Sequence, residues 1–395
     1  MTQVIFSSAS YSAGQTRYHS FFAAKNSDTS EDDVQTPIAI AGTVRKLYVK
    51  LENAPGASES VAVTLRQNGG DSSLTTTISN TDTSGSDNSN SVSISADDEL
   101  NFKVVMSGSA TGGIVYVSVE FEPDTDQRFI LGGTTDATMN NTGVRLYESL
   151  IPETSLTTIT DQECYAPIAG TIHRFSVRLS NTPGVGKNYT FSIYKNGVMV
   201  AASEVAIADS NDTNAIADVN ESFSVGDKLC VSVIASGSPT SSEGQFTIEF
   251  EPDENNKSMM FGSTISYSSS DTYYGSVYKG WHNINTTELF YYANSTEFNI
   301  TALRVDLDTA PGSAPDSYTF TVRKNGGNGN NTIELEGATT SATVTNTDSF
   351  VEGDSIGLSV VPESSPTDYD VAHWALIQDT SELGASILTP MSKLW

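Results

Sequence analysis

Three stretches of the chain alternate apolar and polar residues with period two. Leu47, Val49 and Leu51 point one way, and Lys46, Tyr48 and Lys50 the other. Phe175, Val177 and Leu179 repeat the pattern, as do Leu303, Val305 and Leu307. Period two predicts a strand with one face buried. A second alternating run follows each, from Val61 to Leu65, from Tyr189 to Ile193 and from Tyr318 to Val322. Between the two runs stands a Pro-Gly pair: Pro55-Gly56, Pro183-Gly184 and Pro311-Gly312. Proline presets φ and glycine accepts positive φ, so each pair predicts a turn. After the second run come Asn68-Gly69, Asn196-Gly197 and Asn325-Gly326, which predict type I′ hairpins. Asp97-Asp98, Gly226-Asp227 and Gly353-Asp354 then lead into late strands. No stretch shows a helical period with caps.

The landmarks recur at a fixed spacing. The prolines lie 183 − 55 = 128 and 311 − 183 = 128 residues apart, and the Asn-Gly pairs 128 and 129 apart. Two repeats close on the same words, Val119 to Asp124 and Ile248 to Asp253, while the third closes more loosely at Ala375 to Asp379. The chain therefore divides into repeats at 1–125, 126–254 and 255–380, with a tail at 381–395. Turn signals every 8–12 residues or so suit an antiparallel sandwich. The repeat length suits eight strands, so the expected class is all-β: three tandem antiparallel β-sandwich domains of jelly-roll type. The junctions after Pro123 and Pro252 are short, so neighbouring repeats are expected to touch. They allow two arrangements, a compact pseudo-threefold unit within one chain or a rod stacked end to end.

The order strand, Ala-Pro-Gly, strand, Lys-Asn-Gly, strand, Gly-Asp, strand resembles β-sandwich modules of virion proteins of bacteriophages and related viruses. These are the head-decoration, head-fibre and tail-fibre types. Here it is carried by Ala310-Pro311-Gly312, Lys195-Asn196-Gly197 and Gly226-Asp227. The first repeat departs from it, with Gln67 for Lys and Asp97-Asp98 for Gly-Asp. The resemblance implies a structural protein on the outside of a virion, made in the host cytoplasm. Its partners would be other virion proteins. A receptor- or glycan-binding adhesin is the alternative it leaves open.

Composition narrows the partners. The 395 residues carry 20 Lys and Arg against 48 Asp and Glu, a net charge of −28. Phosphate recognition needs clustered cations, so nucleic acid is not an expected partner. No run of 18 apolar residues occurs, and no membrane insertion is expected. The N-terminus lacks the basic and apolar regions of a signal peptide. Cys164 and Cys230 are the only cysteines and read as small buried hydrophobes, compatible with a reducing cytoplasm.

Candidate chemistry is sparse. His19, His173, His282 and His373 show no metal-ligand spacing, and no nucleophile elbow, phosphate-binding loop or dinucleotide fingerprint is present. Carboxylates are plentiful, yet one unit repeated three times with no copy specialised argues against an enzyme; no cofactor is expected. Asn80 to Gly85 looks like the start of a calcium loop, but the twelfth position is Ser91 and lacks the bidentate carboxylate. It reads as an exposed, mobile polar loop. Aromatic residues crowd the start of the third repeat, where Tyr273, Tyr274, Tyr278, Trp281, Tyr291 and Tyr292 form a candidate recognition surface or, alternatively, packing. Leu388, Met391, Leu394 and Trp395 make the tail apolar, fit to dock on a partner or strap back.

Overall fold

The computed structural model describes residues 2–380 apart from 23–26, 136–138, 140–142, 149, 151–156, 211–212, 266–268, 279–285, 289–291, 294 and 369–370. The protein is nearly all β, its strands forming six antiparallel sheets.

In the first third of the chain the eight principal strands are Gln3–Tyr11, Thr16–Ser20, Gly42–Leu51, Gly56–Gln67, Gly70–Asn80, Ser84–Ile94, Glu99–Met106 and Gly113–Pro123. In that order, the first, eighth, third and sixth form one sheet, and the second, seventh, fourth and fifth the other. This interleaving is the double Greek key of a jelly roll. The middle third repeats it between Phe129 and Pro252, its fifth strand in two pieces, and the last third between Lys257 and Asp379, its sixth strand in two pieces. Among the described strands, pairing stays within each third.

The third strand carries a bulge in every copy. Register shifts at Arg45/Leu47, Ile172/Arg174 and Ile300/Ala302. The extra residue lets apolar side chains three apart share one face. Val44 and Leu47, Ile172 and Phe175, and Ile300 and Leu303 are all fully buried.

The Asn-Gly pairs form the expected turns, with φ of 50° and 74°, 51° and 76°, and 50° and 78°. Each turn is also tied across the sheet. Asn68, Asn196 and Asn325 donate through Nδ2 to Asp98, Asp227 and Asp354 at 2.7, 2.8 and 2.6 Å. Their Oδ1 atoms accept the backbone N–H of Glu99, Lys228 and Ser355, each at 2.8 Å. The departure at Asp97 is a substitution in kind. Its φ is +73°, beside +88° at Gly226 and +85° at Gly353, so aspartate adopts the left-handed conformation glycine supplies elsewhere.

The polar stretch after Asn80 differs from its sequence reading. It is a tight turn into the strand Ser84–Ile94, paired with Gly42–Leu51 on either side of the bulge. Asp87 stabilises it by accepting the N–H groups of Thr75, Ser89 and Asn90. Serines and asparagines dominate because this strand is a sheet edge, where apolar residues would invite unwanted pairing.

Candidate functional site

What the chain builds most distinctively lies between its thirds. In each third the sheet containing the first and eighth strands presents its outer face to the preceding third, and the last third closes on the first. Three equivalent seams result.

The first seam is ionic. Arg174 holds Asp97 through two hydrogen bonds of 2.7 and 2.6 Å. Arg178, 6% exposed, pairs with Glu99 at 2.8 Å and donates to the Gln35 amide at 2.6 Å and the Asp32 carbonyl at 2.5 Å. Thr247 donates to the Pro37 carbonyl at 2.7 Å, and Ser20 to Gln245 at 2.9 Å.

At the second seam the charges are exchanged. Register places Asp306 where Arg178 stands and His373 where Gln245 stands. Facing them, Lys228 occupies the position of Glu99 and Tyr165 that of Pro37. Two cations lie against the Tyr165 ring, with Lys228 5.0 Å and Arg304 4.7 Å from its centroid. Ala302, Ala375 and Ile377 join the core of the middle third.

At the third seam Lys46 donates to Thr296 at 2.9 Å and Asn88 to Glu352 at 2.7 Å. Phe6 meets Phe298 edge-on, 6.3 Å between centroids, and one apolar core runs through the first and last thirds.

The first strands of the three copies converge on an axis. Val4, Ile130 and Met259 are equivalent there, as are Ile5, Leu131 and Met260, and these line a narrow apolar channel with Phe22, Leu150 and Tyr278. Phe6 and Phe261 have Gly132 as their counterpart. A Cβ on Gly132 would sit 2.3 Å from the Phe22 ring, so glycine is required for that ring to close the axis. Two glutamines complete backbone pairing between thirds. Gln3 donates to the Ile130 carbonyl at 2.7 Å and accepts its N–H at 3.1 Å. Gln378 accepts the Val4 N–H at 2.8 Å.

The accessible surface is that of a compact body rather than of three separate units. It is 14822 Å² for 42.1 kDa. A compact monomer of that mass exposes about 15,000 Å², whereas three separate units of a third of the mass expose about 20,000 Å² together.

The candidate aromatics are scattered by this architecture. Tyr278 is 8% exposed and lines the axis, so its ring offers no face to a ligand. Tyr273 and Tyr274 lie half-buried on the short strand Tyr273–Gly275, packed against the core. Arg323 covers the Tyr274 ring at 5.5 Å and is held by Glu288 at 2.9 and 2.6 Å. The same clamp recurs in the first third, where Arg66 stands 5.8 Å over Tyr18 and Glu31 holds the guanidinium at 2.8 and 2.7 Å. The middle third substitutes Tyr194 stacked edge-on against Tyr147. Arginine two residues before Asn-Gly, at Arg66 and Arg323, was the available sequence signal. Tyr292 belongs to a two-residue strand against Ile356. Trp281, Tyr291 and the tail residues Leu388, Met391, Leu394 and Trp395 lie outside the described residues.

No metal-binding cluster of His, Cys, Asp and Glu occurs among the described residues. Among them, too, no helix is long and apolar enough to cross a membrane. Cys164 and Cys230 are both buried, and burial pushes the Cys230 thiol far up.

No protein-family model matches the chain, and no curated protein does. Among solved structures it is similar to that of infectious bursal disease virus Gx strain, with 10% identity over 98% of this chain and 82% of that one, at a TM-score of 0.20. It is similar to Sulfolobus turreted icosahedral virus, with 11% identity over 95% and 90% of the chains, at 0.18. A third is a Paenibacillus xanthan lyase, with 13% identity over 71% of this chain and only 30% of that one, at 0.18. Scores this low carry no argument about arrangement or activity.

Proposed function

We propose that the chain is a non-enzymatic structural protein of a virion, exposed on the particle as a decoration, spike or fibre of a phage or similar virus. The observation that carries the reading is the jelly-roll strand order that recurs in each third of the chain, with the last third packed against the first. This arrangement delivers a trimer-like block within one chain, and the polar side chains that recur in its three thirds serve turns. At least 13 of the 20 Lys and Arg residues sit in ion pairs. The remaining acidic charge keeps such a block soluble and discourages non-specific adhesion. Its partners in this reading are other virion proteins, and synthesis takes place in the host cytoplasm.

Antibody labelling of intact, purified particles under the electron microscope tests it. Label on the particle exterior is the expected result. Particles that lack the chain overturn the reading.

A further inference from the structure

The second seam holds a cavity of about 270 Å³. Its walls come from both sides: Thr160, Tyr165 and Lys228 from the middle third, Asp306, Asp308, Val371 and His373 from the last. The first seam shows why it is there. Arg178 and Gln245 reach across that seam to bond Gln35, the Asp32 carbonyl and Ser20. At the equivalent positions stand Asp306, shorter than arginine, and His373, and the space is left.

We infer that this cleft is a binding site for one ring of a neutral saccharide. Four observations select that chemistry. The size lies just under the range of about 300–1,000 Å³ typical of pockets for drug-sized molecules, which suits a single sugar ring. The strongest charges are already neutralised within the wall. Arg304 grips Asp306 with two hydrogen bonds of 2.7 Å, and Lys228 pairs with Glu163 at 3.1 Å. An ionic ligand would therefore meet a like charge whichever sign it carried. Carboxylates only accept hydrogen bonds and ammonium groups only donate them, so a molecule whose hydroxyls do both satisfies the two kinds at once. Val371 and Leu307 supply the apolar strip that the C–H face of a sugar covers. Asp308 is exposed, its backbone N–H is fixed to the Val371 carbonyl at 3.0 Å, and its carboxylate stands at the cleft edge as the chief acceptor. The site does not depend on where the chain resides; it would serve a virion exterior by attaching it to a glycan-coated surface.

The test uses the full chain, fluorescently labelled, on an array of neutral and charged glycans, followed by saturation-transfer NMR on any hit. Two exposed positions allow variants that leave the seam intact, Asp308→Ala and Thr160→Trp, the second filling the cleft. A neutral glycan that binds, and whose affinity falls at least tenfold in both variants while their melting temperatures stay unchanged, is the expected result. No binding across the array, binding confined to charged glycans, or binding unaffected by both variants overturns the assignment.

Discussion

The smallest unit repeated without change is the tie between an asparagine and an aspartate some 30 residues later. Burial works against the charge on Asp98, Asp227 and Asp354, but the hydrogen bonds each carboxylate accepts outweigh it, and all three titrate below the usual carboxylate range. Their folded pKa values are depressed, so the stability they contribute is present above the unfolded value of about 3.9 and is lost as pH falls below it. Thermal melts from pH 7 down to pH 2.5 are expected to show this loss, with Asp227→Asn flattening the acid limb. Removing the tie at Asn196→Ala should cost about 1–2 kcal/mol, read by urea unfolding. The sequence showed both turns, since Asn-Gly and Gly-Asp are local signals. It did not show that they hold each other, because the partners are distant in the chain and aspartate is common in turns for other reasons.

At the scale of strands, alternation told half of the truth. It placed Leu47, Val49 and Leu51 in the core, and they are there. It assigned the opposite face to solvent, yet Ser176, Arg178, Thr247 and Glu249 are all buried, Arg178 and Thr247 bonding to the first third. A face that packs on a polar neighbour has the composition of a wet one, so period two cannot distinguish them. The bulge was legible in principle, since Val44 and Leu47 are three apart and both apolar. Deleting His173 leaves Ile172 and Phe175 two residues apart, on one face of a regular strand, so a folded variant that has lost only the bulge is expected. A deletion variant that melts like the parent would show the bulge to be dispensable. The aromatic cluster was misleading for a related reason. Tyr274 was singled out by crowding, whereas its clamp by Arg323 is visible only when compared with Tyr18 and Arg66 in another copy.

Across the whole molecule, the three seams together cover about 5,000 Å², the difference between the two surface estimates above, or about 1,700 Å² each. That exceeds the 600–1,500 Å² or so of loosely coupled domains. The thirds should move as one body, with a radius of gyration of about 21 Å by small-angle scattering; a value well above roughly 30 Å would contradict the ring. Arg178→Ala leaves Glu99 and Gln35 facing each other without their cation and should cost about 3 kcal/mol. Gly132→Ala should cost about 1–3 kcal/mol by driving a methyl into the Phe22 ring. Phe22→Leu, which shortens the side chain that the new methyl meets, should recover part of that loss in a double-mutant cycle.

The chain continuity of the ring has a consequence for how the protein behaves when scarce. Three separate subunits with these faces would be governed by mass action and would come apart on dilution. Here the linkers at 124–128 and 253–256 keep each face at a high effective concentration beside its mate. Each copy also occupies a fixed place, so Arg178 always meets Glu99 and Asp306 always meets Lys228. Because neither face has to fit a copy of itself, the three seams were free to become chemically unlike. A melting temperature independent of protein concentration, from nanomolar to micromolar, is the mark of that covalent closure.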